Sequence, residues 1–293
     1  RKVKLVVIYN AVFIGLLKQL EDLMKATGEP FRARAYNKAR ISVEGYKGDI
    51  TSLDQIKGLP GIGKTIIEKF EEYIATGKIT ALERQKDNPI ILFAKIHGIG
   101  PKKAKELVEK HGITSLADLR KRGAKFLNAT QLKGLKYFDD IQRRIPRDEI
   151  DAFKVVFDTA FDAVKLPTSS KYEIVGSYRR GARDSGDIDL ILSDSGEKGH
   201  LLYERFLDTL IKQGVIIDVL SRGRTKCLAV GRIGKEGKAR RLDFLYAKPA
   251  EFPFAILYFT GSASFNTTMR AHANELGYSL NEHGITVMKT KKI

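Results

Sequence analysis

Apolar residues recur every three or four positions through the first half of the chain, and in the second half they gather into short β-branched runs. The first pattern predicts helices over Ala11 to Ala26, Phe31 to Tyr46, Leu53 to Lys57, Lys64 to Thr76 and Thr80 to Gln85, punctuated by Gly28, Gly58, Gly61, Gly63 and Gly77. It continues near Pro89 to Lys95, Pro101 to Lys110, Ser115 to Arg122 and Asn128 to Asp139. From Lys171 the pattern predicts strands at 171–175, 186–192, 215–220, 226–232 and 240–247, with a helix from His200 to Gln213 and a glycine-marked loop at Gly231, Gly234 and Gly237. An all-α half followed by an α+β half is therefore expected, with the boundary near Arg147 and a joining helix from Asp148 to Val164.

At 293 residues and 43% apolar content the chain suits two or more packed domains and excludes wholesale disorder. Its net charge of +17 is uneven: residues 89–146 carry 13 basic against 5 acidic side chains. Such clustering favours a polyanionic partner, nucleic acid before an anionic membrane. Cys227 is the only cysteine, so no internal disulfide can form and a reducing compartment is expected; with five scattered histidines there is no zinc constellation. The basic start followed by Leu5 to Leu17 is expected to open a helix rather than act as a signal peptide or membrane span, because the apolar run is broken at Asn10 and passes into helical spacing. The sequence does not begin with Met, so its natural start is not visible.

The chemistry concentrates between Ile174 and Leu192. Asp187 and Asp189 stand two apart in an apolar run, and a strand would turn both to one face. Side-by-side anions in such a run call for a cation between them. Gly176-Ser177, then Arg179 and Arg180, place backbone donors, a hydroxyl and guanidinium just upstream, a set suited to polyphosphate on magnesium. Asp243, in the run Arg241 to Leu245, offers a third carboxylate from another strand. Three such acids can hold two divalent ions about 4 Å apart for in-line phosphoryl transfer. A solvated edge strand with surface ion pairs is the competing explanation.

Leu59-Pro-Gly61-Ile-Gly63-Lys64 and Ile96-His-Gly98-Ile-Gly100-Pro101 are two copies of one turn. Each joins helices and lets a phosphate approach the amino end of the second helix, with Lys64, Lys102, Lys103 and Lys105 alongside. Gly58 to Thr65 also matches the ATPase phosphate loop, but the preceding residues are polar and helix-like rather than a buried strand, which favours DNA-backbone binding.

GSYRRGARDSGDIDLIL (176–192), RRLDF (240–244) and LYFTGSASFNTTMRAHA (257–273) resemble the family X DNA polymerases, most like the beta branch with lambda-type positions; the similarity runs from about Leu16 to Ile285. The resemblance implies a 5′-deoxyribose-phosphate lyase domain over 1–88, a DNA-binding subdomain over 89–147, a nucleotidyltransferase palm with a mixed sheet over 148–247 and a small thumb-like, nascent-base-pair subdomain over 248–293. Because family members continue past Leu280-Asn-Glu-His283, it also implies a shortened last subdomain or a tail beyond Ile293. By match, Asp187, Asp189 and Asp243 hold two Mg2+ ions, with Mn2+ able to replace them. Arg144, Gly176, Ser177, Arg180, Ser185, Gly186, Tyr258, Phe259, Gly261, Ala263, Asn266 and Arg270 face the nucleotide. Lys69 is the lyase nucleophile, able to attack only as free amine. Arg32, Tyr36, Lys38, Gly61, Gly63, Lys64, Gly98, Gly100, Lys102 and Arg241 contact DNA. Carbonyls of Lys57, Leu59, Ile62, Ala94, Ile96 and Ile99 hold monovalent Na+ or K+ at the hairpins. Phe31 and Arg32 depart from the beta pattern, and Ala263 and His283 follow the lambda type. The implied function is gap-filling synthesis in base excision repair by a monomer acting on gapped or nicked duplex DNA and dNTP, with repair ligase and AP-endonuclease pathway partners and no membrane. Nucleus or mitochondrion is the implied location, a viral particle or the cytoplasm the alternative. Template-independent terminal transfer and a non-catalytic DNA-end-binding module are the rival functions.

Overall fold

A computed structural model describes residues 7–165, 170–195 and 200–288, and the chain divides into two compact units, Arg1–Leu132 and Lys133–Ile293. In the first unit the regular elements are helices: α1 (Asn10–Ala26), α2 (Pro30–Glu44), α3 (Lys64–Thr76), α4 (Thr80–Glu83), α5 (Pro89–Ala94), α6 (Pro101–Glu109), α7 (Leu116–Arg122) and the start of α8 (Ala129–Lys136). Their apolar stripes meet where expected. Phe13, Leu17 and Leu20 of α1, Ala39 and Val43 of α2 and Ile66 and Phe70 of α3 share one core, in which the Phe13 and Phe70 rings stack 3.9 Å apart. The segment before Gly58 is a single 3-10 turn, Leu53–Gln55, closed by a Ser52–Gln55 capping box. Among the described residues no strand precedes the phosphate-loop-like sequence, which argues against the ATPase alternative.

The second unit continues with α9 (Phe138–Ile141), β1 (Ile145–Pro146), α10 (Arg147–Val164), β2 (Lys171–Ile174), α11 (Gly176–Arg179), β3 (Asp184–Ser185), β4 (Ile188–Ser193), α12 (Leu201–Lys212), β5 (Ile216–Arg222), β6 (Lys226–Gly231), β7 (Arg240–Tyr246), α13 (Phe252–Thr260), α14 (Ala263–Glu275), β8 (Tyr278–Asn281) and β9 (Gly284–Val287). The main sheet runs β2-β4-β7-β6-β5, with β4 and β7 parallel and the other neighbours antiparallel, so the expected mixed sheet is present. Phe153 and Phe157 of α10 and Phe206 of α12 pack on one face against Leu190, Leu192 and Phe244. Ala255 of α13 covers Val175, Ile191 and Ala247 on the other. With both faces covered, β4 reads as a continuous apolar run rather than an alternating one.

Three features depart from the sequence expectation. The helix expected over Asn128 to Asp139 is interrupted at Tyr137, whose hydroxyl donates to Asp218 at 3.3 Å while Lys133 pairs with Asp218 at 2.8 Å. These anchors tie 133–141 to the sheet, and the compact units divide at Leu132/Lys133. β4 begins at Ile188, leaving Gly186 and Asp187 in the turn before it. The hairpin β8–β9 was not foreshadowed, since Tyr278, Ile285 and Val287 stay exposed and give no inward-outward alternation.

Candidate active site

The parallel pairing of β4 with β7 sets Asp189 directly opposite Asp243, and the turn into β4 brings up Asp187. One carboxylate oxygen from each lies within 4.8 Å of the others. The next residue but one along β7 from Asp243 is Arg241, whose guanidinium donates to Asp187 and, at 3.2 Å, to Asp243. One cation is thus shared by two of the three anions. Asp243 Oδ1 is buried with no hydrogen-bond partner in the structure, a costly state for a carboxylate oxygen unless it faces a cation. The hard oxygen donors, their spacing and this unsatisfied acceptor fit a hard divalent cation.

Burial pushes the Asp189 carboxyl up to about 7, with Asp187 and Asp243 adding repulsion. Burial raises Asp243 as well, while Arg241 pulls it back. Because the folded state disfavours the Asp189 anion, the Asp189 contribution to stability is fully present below pH 3.8 and is lost as the pH rises through about 7. In EDTA, wild-type protein is expected to lose on the order of 2–4 kcal/mol across that window relative to Asp189→Asn, measured by urea denaturation at pH 5 and pH 8. Parallel pH dependence in the two proteins would show that Asp189 does not carry this repulsion.

A cleft of about 460 Å³ opens over the acids, lined by Arg144, Gly176, Ser177, Arg180, Gly186, Asp187, Asp189, Tyr258, Phe259, Gly261, Ser262, Ala263 and Asn266. Gly176 opens α11 at φ +64°, and a Cβ there would come within 2.6 Å of Asp189 Oδ2. Only glycine lets the backbone approach the carboxylate so closely. Arg180 donates to the Thr260 carbonyl and Arg179 to its hydroxyl at 3.3 Å, tying α11 to the end of α13. Asn266 Nδ2 donates to Tyr258 O at 2.7 Å, and its buried Oδ1 has no partner in the structure. Two residues expected at the nucleotide lie off the cleft wall. Ser185 is 1% exposed and accepts from Ser177 at 2.6 Å, and Arg270 is exposed further along α14. Asp184 was missed in the sequence; it accepts from Arg144 Nη2 at 2.7 Å, and nothing in its spacing marked it. Ser262, which ends the Tyr-Phe-Thr-Gly-Ser run, lines the cleft as well.

Four family models match the chain in order: a helix-hairpin-helix domain over 8–79, the fingers domain of DNA polymerase lambda over 91–142, the DNA polymerase beta palm over 144–249 and the DNA polymerase beta thumb over 255–293. DNA polymerase lambda of Rattus norvegicus is 34% identical over 95% of this chain and 49% of its own length. The chain belongs to DNA polymerase family X. DNA polymerase lambda of Arabidopsis thaliana is 31% identical over 94% of this chain and 54% of its own, and the DNA polymerase type-X family protein pol4 of Schizosaccharomyces pombe is 28% identical over 97% and 58%. The chain thus spans about half the length of these curated relatives. Beta-named palm and thumb beside lambda-named fingers agree with the mixture of branch features in the sequence.

The two hairpins of this family X chain share one geometry. Gly61 and Gly98 both take the left-handed region, φ +84° and +83°, while Gly63 and Gly100 are the extended N-caps of α3 and α6. Open space surrounds Gly63 and Gly100, so the helix amino ends are accessible to a phosphate. The Leu59 carbonyl accepts from Ile62 N–H and Ile96 from Ile99 in the same way. Lys64, Lys38 and Arg32 are exposed, and Tyr36 is buried. Lys69 is half-buried on α3 between the core residues Ile66 and Phe70.

Proposed function

We propose that the chain is a template-directed DNA polymerase that fills short gaps in duplex DNA during base excision repair, with 5′-deoxyribose-phosphate lyase activity in its first unit. What supports the proposal is the convergence of Asp187, Asp189 and Asp243, the first two of which line a cleft shared with Arg144, Arg180 and the Gly176 turn. Gly176 N–H, the Ser177 hydroxyl and the two guanidiniums would bind the triphosphate of a dNTP and take up charge as pyrophosphate leaves. The Tyr258 to Ser262 segment would lie against the sugar, and Asn266 and Arg270 on the nascent base pair. Magnesium, or manganese in its place, held by the three acids would acidify the primer 3′-hydroxyl and screen the developing phosphate charge.

The hairpins at Gly61 and Gly98 would grip the DNA backbone without reading sequence, with monovalent Na+ or K+ on the carbonyls around each turn. Arg32, Tyr36 and Lys38 would hold the 5′-phosphate beside Lys69, and Lys102 and Arg241 would contact the duplex. Template-directed synthesis is favoured over terminal transfer because β5 and β6 are joined by only Gly223 to Thr225, leaving no room there for a long loop. The buried lone Cys227 suits a reducing compartment, nucleus or mitochondrion, and among the described residues no helix is long and apolar enough to cross a membrane. A monomer working with repair ligase and AP-endonuclease completes the proposal.

On a one-nucleotide gap bearing a 5′-phosphate, the protein should add one nucleotide complementary to the template base with Mg2+ and none with EDTA. Addition that ignores the template would favour terminal transfer, and DNA binding with no addition would favour an end-binding module.

A further inference from the structure

Arg240, the first residue of β7, is 2% exposed and its guanidinium is fully engaged away from the acids. Nε and Nη2 each donate at 2.6 Å to one oxygen of Glu149 on α10, a bidentate pair. Nη1 donates to the carbonyls of Arg143 at 3.2 Å and Arg144 at 3.4 Å. The neighbouring Ala239 N–H donates to Asp140 Oδ2 at 2.9 Å, a second tie between β7 and the segment leading to β1. Strand alternation sends Arg241 the opposite way, onto Asp187 and Asp243. One strand therefore delivers one arginine to the acids and another beneath the peptide that carries Arg144. Arg144 in turn reaches the cleft with Nε and Nη2 on Asp184, at 3.0 and 2.7 Å.

A buried ion pair adds little net stability over an apolar pair of the same size, so stability alone does not account for an arginine here. What arginine supplies is a planar fork of five donors that meets acceptors from α10 and from two successive carbonyls at once, which lysine cannot do. We propose that Arg240 is a positioning residue that fixes the 143–144 peptide, so that Arg144 presents its guanidinium to the pyrophosphate portion of the incoming nucleotide. The proposal rests on the cleft being a nucleotide site.

Its test is a cycle. The double variant Arg240→Met/Glu149→Met removes the charges while keeping the volume buried, and it is compared with wild type both with Arg144 intact and in an Arg144→Ala background. With Arg144 present, single-gap extension should show KM for dNTP raised about tenfold with kcat within about threefold, and Arg240→Lys should not restore it. In the Arg144→Ala background the double change should add less than about twofold. An unchanged KM, or a tenfold penalty that persists without Arg144, overturns the positioning role. Should wild-type protein fail to extend the primer, the nucleotide reading fails separately, and calorimetric affinity for tripolyphosphate in the same four proteins, with the same expected non-additivity, decides the role of Arg240.

Discussion

Asp189→Asn is expected to lower single-gap primer extension by about four orders of magnitude while leaving affinity for gapped duplex within about twofold. The reason is local. Asp189 stands in register with Asp243 and beside the Gly176 turn, at the one point where the two strands and the cleft floor meet. An amide keeps the shape but cannot supply an anionic oxygen to a hard cation. DNA affinity should persist, because duplex binding is assigned to phosphate contacts at the two hairpins. Rapid-quench extension and fluorescence anisotropy on the same substrate check both halves. Retained extension in Asp189→Asn would remove that residue from the chemistry, and lost DNA affinity would show that the substitution damages more than the site.

Lys69→Ala should abolish borohydride trapping on a nick carrying a 5′-deoxyribose phosphate, a drop of at least about a hundredfold, and leave gap filling within about twofold. Lys69 is half-buried on α3, and Ile66 and Phe70 on either side of it along the chain belong to the core of the first unit. That core continues through Phe13 and Phe70 and does not depend on the lysine head, so Lys69→Ala should fold normally. Undiminished trapping would move the nucleophile to another amine; loss of gap filling with it would tie the two activities together.

The acids were legible in the sequence because carboxylates inside apolar β-runs are expensive, and the structure brings all three together as that cost implied. The first three helices were legible for a different reason: α1, α2 and α3 each have an apolar stripe and stop at or next to a glycine, and α3 runs over Lys64 to Thr76 as its periodicity predicted. α13 left no periodic mark, since Phe252–Thr260 is apolar on most sides, and β8–β9 left none because its residues remain half in water. Asp184 and the Arg240–Glu149 pair were invisible for a third reason. Their roles depend on partners 40 and 91 residues away, which no local spacing records.

The central claim is that Asp187, Asp189 and Asp243 together form a divalent-cation site serving nucleotidyl transfer. Electron paramagnetic resonance of Mn2+ titrated into the protein with one-nucleotide gapped DNA and a non-hydrolysable dNTP analogue tests it most directly. Two tightly bound ions per chain are predicted for wild type, and fewer for Asp189→Asn and for Asp243→Asn; the same count in all three proteins, or no tight binding in wild type, would contradict it.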